Sequence, residues 1–292
     1  MNKIHSILFL LLTANFCFSQ NEEENNRIKS FQTFNTTRIF NAHSIETLYK
    51  RDMDIRITHR FGDISGDNGG IHTLYGLDNS TDIRIAFEYG ITDNIDLGFG
   101  RSKGAGPIRE IWDGFAKYKL FSQSSSMPFT LTAMSSFGIT SMKSRGDSST
   151  VTNFRKISHR LNYANQIIIG RKVSDWLSFQ LMPSHTHRNL APNSDVNDLF
   201  SLGAAGTIKI SKLIGITAEY FYNFKNDRTY LGNELRNPLS VGLEIETGGH
   251  VFHLNFTNSK GIGETQFIPY TFSDWTEGEY RFGFTISRLV KL

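Results

Sequence analysis

The sequence predicts an all-β protein: a transmembrane antiparallel up-and-down β-barrel of about twelve strands. Three observations predict it. Twelve segments alternate apolar and polar residues with period two, the connections between them alternate short and long, and an export-type leader precedes a chain with no run of the roughly 20 apolar residues that a spanning helix needs. Only helices and closed barrels satisfy their backbone groups inside lipid, so an exported chain without such a run is either soluble or a barrel.

The leader comes first. Lys3, the apolar run 7–12 and Cys17-Phe18-Ser19 before Gln20 read as a secretory signal covering residues 1–19, cut near Ser19/Gln20. Cys17 also suggests a lipoprotein anchor, but Phe16 is too bulky for the position before a lipidated Cys. The one Cys leaves with the leader, so no disulfide staples the mature chain. Residues 20–50 are expected as a periplasmic N-terminal segment, polar and mobile over 20–36, with the barrel spanning 51–292. The 31 Lys+Arg against 28 Asp+Glu, a net charge of +3, call for no nucleic-acid partner.

The strands then follow in order. Met53, Ile55, Ile57, His59 and Phe61 alternate with Asp54, Arg56, Thr58 and Arg60, the pattern of a strand with two unlike faces. Ile83, Ile85, Phe87 and Tyr89 repeat it against Asp82, Arg84, Ala86 and Glu88. Further strands are expected near 94–102, 111–121, 128–142, 156–170, 175–187, 198–210, 213–225, 238–247, 249–258 and 279–290. Several reach the roughly 9–11 residues that cross a bilayer when tilted, beyond the usual globular length. Connections after even-numbered strands are short and those after odd-numbered strands long and polar, as in outer-membrane barrels with periplasmic turns and outside loops. A sandwich has no reason to sort loop length by end.

Charge placement decides which face meets lipid. Arg56, Arg60, Arg84, Lys117, Lys119 and Arg160 share the polar face with Glu88, Asp113, Glu219, Glu244 and Glu246. These eleven are the expected lumen-lining residues. Twelve strands enclose more space than the eight-strand case that side chains just fill, so apolar filling is not expected. Trp112, Tyr118, Phe121, Trp176, Phe200, Tyr220, Tyr222 and Phe224 fall near strand ends on the apolar parity, where interfacial girdles sit.

Five runs occur together in order: Thr58-His59-Arg60-Phe61-Gly62, Tyr75-Gly76-Leu77-Asp78-Asn79, Asp113-Gly114-Phe115-Ala116-Lys117-Tyr118-Lys119, His187-Arg188-Asn189-Leu190 and Glu246-Thr247-Gly248-Gly249-His250-Val251-Phe252. With them the chain resembles, from about residue 36 to its C-terminus, an exported β-barrel family known as domain of unknown function 5777. The resemblance implies a barrel in the outer membrane and implies no activity.

Candidate chemistry is sparse, and no cofactor is expected. Asp63, Ser65 and Asp67 place oxygens at alternate positions, as a calcium loop would, but Asn68 stands where the EF-hand needs Gly and Leu74 where it needs Glu. A plain turn explains them better. His185 and His187 share a strand face and could hold a metal, lacking an evident third ligand. Gly98-Phe99-Gly100-Arg101-Ser102-Lys103-Gly104 leads into no helix and is read as barrel glycines running into a basic loop, not as a phosphate cradle.

The leading functional expectation is a channel or passive transporter for small polar solutes, its selectivity set by the inward charges. One alternative is a membrane-embedded, phospholipase-like hydrolase with Ser141 and His159 brought together across strands 5 and 6. Another is a structural or docking barrel with a closed lumen. Expected partners are outer-membrane lipid and lipopolysaccharide, met by Lys103, Arg109, Lys143 and Arg145, with a periplasmic or surface protein partner open.

Overall fold

The computed structural model describes residues 32–146, 150–192, 194–225 and 227–292. The leader, its cleavage point and residues 20–31 lie outside the described residues. Twelve strands close into one antiparallel barrel: β1 (Asp52–Asp63), β2 (Ser80–Thr92), β3 (Ile95–Ser102), β4 (Ile111–Phe121), β5 (Thr130–Thr140), β6 (Leu161–Lys172), β7 (Leu177–Arg188), β8 (Asp198–Lys209), β9 (Ile214–Asn223), β10 (Leu239–Thr247), β11 (His250–Thr257) and β12 (Arg281–Lys291). Each pairs with its sequence neighbours, and β1 closes on β12 in a register running from Asp52↔Lys291 to Arg60↔Gly283 before a bulge. No edge is left for lipid to meet.

Polarity runs opposite to that of a soluble barrel. Along β2, Asp82, Arg84 and Glu88 are buried while Ile83, Ile85, Phe87 and Tyr89 are exposed; Phe87 is 47% exposed where its neighbour Glu88 is 0%. The same inversion holds for Trp112, Tyr118, Phe121, Trp176, Phe200, Tyr220, Tyr222 and Phe224, all outward at strand ends. An outward apolar band of this extent is stable only against lipid. Among the described residues no helix is long and apolar enough to cross a membrane, so strands do the crossing.

Two features differ from a regular reading. β5 ends at Thr140 and β6 begins at Leu161, inside the expected 128–142 and 156–170, with residues 157–160 in a 3₁₀ turn (Ile157–Arg160) above the barrel rather than extending β6. Between β6 and β7 the pairing passes from Gln166↔Ser184 to Ile169↔Leu181, and Pro183, which has no N–H to donate, sits in that gap.

The two ends are unlike. At one lie the turns 93–94, 173–176, 210–213 and 248–249, the longer 122–129 and both termini of the barrel. At the other lie loops 64–79, 103–110, 141–160, 189–197, 224–238 and 258–280. The last of these folds inward: its one-turn helix α1 (Glu264–Phe267) is wholly buried and touches β5, β6 and β7. Asp195 takes Arg188 (2.8 Å) and Arg228 (3.3 Å) on one carboxylate oxygen, and Arg228 also donates to the Pro269 carbonyl at 3.0 Å. Three loops are thereby fastened together over the opening.

If the barrel is closed as described, an unboiled sample in SDS will migrate separately from a boiled one and will fractionate with membranes. A single heat-indifferent band in the soluble fraction would contradict it.

Candidate functional site

Residues 33–48, expected on the periplasmic side, lie inside the barrel. They form a hairpin that enters at the short-turn end, climbs the lumen and returns. Its arms meet at the isolated bridge Arg38↔His43, and the tip closes with Ile39 N–H donating to the Ala42 carbonyl (2.8 Å) and Ser44 N–H to the Thr37 carbonyl (2.9 Å). A two-armed hairpin alone in water is marginal, so the wall must supply what holds it.

The wall does so through both the hairpin's main chain and its side chains, among them Asn41, whose amide donates to Glu219 and Ser240. Glu219 on β9 accepts from the N–H groups of Phe40 (3.3 Å), Asn41 (3.0 Å) and Ala42 (3.1 Å), which puts one carboxylate against three converging donors at the tip. Gln180 on β7 accepts from Ile45 N–H (3.1 Å) and donates to the His43 carbonyl (2.8 Å). Thr132 on β5 donates to the Ile45 carbonyl (2.8 Å), Lys117 on β4 to that of Thr37 (3.1 Å), and Asp96 on β3 accepts from Leu48 N–H (3.0 Å). Burial of these backbone groups without partners would cost more than the bonds gain, which explains why each has one.

Arg38 ties the two closing segments to the wall and to each other. Its Nε donates to Glu88 on β2 at 3.0 Å and its NH1 to Glu264 of the inward loop at 3.2 Å, with all three side chains buried. Its NH2 lies 2.7 Å from Nε2 of His43. Burial, then the charges of Arg38 and Lys117, hold the His43 pKa well below its ordinary value. The ring is therefore neutral, Nε2 accepts from Arg38, and Nδ1 carries the proton. Burial pushes the Glu264 carboxyl upward, and Arg38 opposes that shift.

Several of the remaining inward charges pair in the same manner, while Arg60 donates to the Asn41 amide oxygen. Arg56 meets Asp54 at 2.7 Å, Arg84 meets Asp113 at 2.5 Å, Lys119 meets Glu46 of the hairpin at 3.3 Å, and Glu244 meets His253 at 3.2 Å while accepting from Asn35 at 2.9 Å.

Part of the interior is not polar. Phe34, Ile39, Phe40, Ala42 and Ile45 of the hairpin pack with Phe115, Met134, Ile168, Met182, Leu199, Ala205 and Phe221 from β4 to β9, and with Phe267 and Ile268 of the inward loop. Here the expectation against apolar filling fails, because the filler is a second segment of chain and not the strands' own side chains. Phe221 lies over Gly203, where an added Cβ would come within 2.5 Å of the ring. Below the hairpin a cavity of about 740 Å³ opens at the short-turn end, lined by Asn35, Thr37, Asp54, Lys119 and Glu246 among others.

The expected lumen residues are placed as follows. Arg56, Arg60, Arg84, Glu88, Lys117, Glu219 and Glu244 point inward and are buried; Asp113, Lys119 and Glu246 point inward and are partly covered. Arg160 does not belong with them. It lies on the 3₁₀ turn above β6, donates to the Thr140 (3.1 Å) and Met142 (2.5 Å) carbonyls and stacks over Phe154. Ser141 and His159 do not form a dyad, since the Ser141 hydroxyl donates to the Glu110 carbonyl at 3.1 Å and His159 sits on that same turn. Asp63 is committed to Arg281, and the Ser65 hydroxyl to the Gly278 carbonyl at 3.1 Å, which breaks the calcium-loop pattern with Asp67 left exposed. His185 and His187 both bond Oδ1 of Asp198 at 2.8 Å on the outer face of the rim; among the described residues no group of three acidic, His or Cys side chains is arranged to hold a metal. Glu219, Glu88 and Lys117 are legible from parity; the wall groups Asp96, Thr132 and Gln180 share that parity but are not among the residues singled out from it, and the hairpin's Arg38 lies on no strand.

A family model described as a membrane bound beta barrel domain, DUF5777, matches residues 34–290. No curated protein matches the chain. Solved structures similar to it include the KdgM porin in complex with disordered oligogalacturonate, 12% identical over 81% of this chain and 98% of that one with a TM-score of 0.47. The COG4313 outer membrane channel from Pseudomonas putida F1 is 12% identical over 84% of this chain and 98% of that one, with a TM-score of 0.46.

Replacing Arg38 with Met removes the cation that Glu264 and Glu88 share, leaving Glu88 only Arg56 and Lys117 nearby, a loss of at most about 3–5 kcal/mol by comparison with buried pairs. On a Cys17→Ser background, Ala42→Cys is expected to resist maleimide in the native barrel and to react readily once Arg38→Met is added. Equal reactivity in both would show that Arg38 does not hold the tip.

Proposed function

The chain belongs to the DUF5777 family of membrane-bound β-barrels, and from that premise we propose that it is a gated outer-membrane channel for small polar solutes, closed in this state by the hairpin of residues 33–48. The short-turn end then faces the periplasm and the long loops face outward, the orientation usual for such barrels. One observation carries this reading: the hairpin enters and leaves the lumen at the same end, so it can withdraw toward the cavity below it without threading past the loops above.

Its polar contacts are of a kind that water or a solute can replace. Glu219, Gln180 and Asp96 would stay on the wall, as would the inward charges Arg56, Arg84 and Glu88, and these would line the vacated path. The exposed Lys103, Arg109, Lys143 and Arg145 at the long-loop rim supply cationic contacts for lipopolysaccharide phosphates.

The buried apolar cluster favours a second reading, a permanently closed structural barrel. Planar-bilayer recordings separate the two. The native protein is expected to stay closed for long periods, and Arg38→Ala combined with Glu219→Ala to raise opening frequency by at least about tenfold, a modest share of what losing a buried pair costs. Absence of conductance in both proteins at every voltage would leave the closed barrel standing.

A further inference from the structure

The geometry points to a substrate class: the lumen is a peptide-binding site, residues 33–48 are its built-in occupant, and the solutes that displace them are short peptides bearing apolar side chains. This rests on the gated-channel reading and deepens it.

The wall contacts carry the inference. Five residues on five strands, Asp96, Lys117, Thr132, Gln180 and Glu219, reach the hairpin's main chain at residues 37, 40, 41, 42, 43, 44, 45 and 48. A stopper recognised by its own side chains would need none of these. Gln180 is the most telling, because its one amide accepts an N–H from Ile45 and donates to the carbonyl of His43, pairing with the chain as another peptide unit would. Such a pair of contacts recognises any main chain with that turn, independent of its sequence.

The apolar cluster narrows the class further. Met134, Ile168, Met182 and Phe221 of the wall cluster with Phe40, Ile45 and their hairpin neighbours. A sugar could meet the polar groups with hydroxyls, but it offers nothing to this wall, and a hydrocarbon would leave Glu219, Asp96 and Lys117 without partners. A peptide with apolar side chains satisfies both.

The exposed turn between the hairpin and β1 allows a direct test on the full chain. A specific-protease sequence is inserted between Lys50 and Arg51, the folded protein is cut, and a fluorescent peptide with the sequence of residues 32–49 is added. Saturable binding is expected in the cut protein and not in the uncut one. A peptide altered at Arg38 and Asn41 should still compete, more weakly for want of the Arg38 ion pairs, whereas oligosaccharides of similar size should not. Gln180→Leu should weaken every peptide by about tenfold, the usual order for unpairing buried amide groups. Competition by oligosaccharide as strong as by peptide would overturn the inference, and so would a cut hairpin that never exchanges, since a site that never exchanges serves no solute. Conductance of the cut barrel is read in parallel. If it conducts and peptides neither bind nor block, the peptide inference falls and the channel stands; if peptides bind and nothing conducts, the channel reading falls and the binding site stands.

Discussion

A barrel in lipid must turn its polar side chains inward, and twelve strands enclose more room than those side chains can fill. Everything else in this structure answers that constraint. Inward Arg, Lys, Asp and Glu would be costly in a half-empty, poorly hydrated lumen, and costly again if crowded without partners. The chain meets the problem by returning two of its own segments into the interior, a hairpin from one end and a loop from the other. They join at Arg38, whose guanidinium bridges Glu88 of the wall and Glu264 of the loop. Its small net charge is the sum of many such facing pairs.

Polar and apolar contacts divide the work. The Arg38–Glu88 and Glu46–Lys119 ion pairs, with the main-chain bonds to Asp96, Lys117, Thr132, Gln180 and Glu219, fix the position of the filler through distance and direction. The apolar cluster against β4–β9 supplies attraction without direction. A filler held by charge alone would be loosened by salt and water, and one held by apolar contact alone could slide. Glu219 meets the hairpin tip, and its three N–H donors set the tip's height.

Much of this was legible in the residues. Period two placed twelve strands, and the alternation of Arg56, Arg84 and Glu88 with Ile55, Ile83 and Phe87 identified the inner face, because a strand reports its two environments directly. The hairpin was not legible for the opposite reason. Residues 33–48 make contacts with strands more than 200 residues further on, as Asn35 does with Glu244, and nothing local records a partner that distant. Their hidden signal was Phe34, Ile39, Phe40 and Ile45, four large apolar residues in the segment expected to lie in the periplasm, together with a family match that begins at residue 34, well before β1. The expected Ser141 and His159 pair failed on a strand end. Parity holds only while the strand continues, and β6 begins after the 3₁₀ turn that carries His159.

Those four apolar side chains also constrain how the lumen can open. Exposing each to water costs roughly 1.5–3 kcal/mol, or about 6–12 kcal/mol together. At about 1.4 kcal/mol for each factor of ten, an empty, water-filled lumen would be populated less than one part in about ten thousand. Spontaneous emptying is therefore a poor route through this barrel. Replacement is a better one, because an incoming chain that covers Met134, Ile168, Met182 and Phe221 and takes over the bonds of Glu219 and Gln180 removes most of that cost as the hairpin leaves. A gate built in this way would be selective by construction: it would open at useful rates only for a solute that can restore what the hairpin gives up.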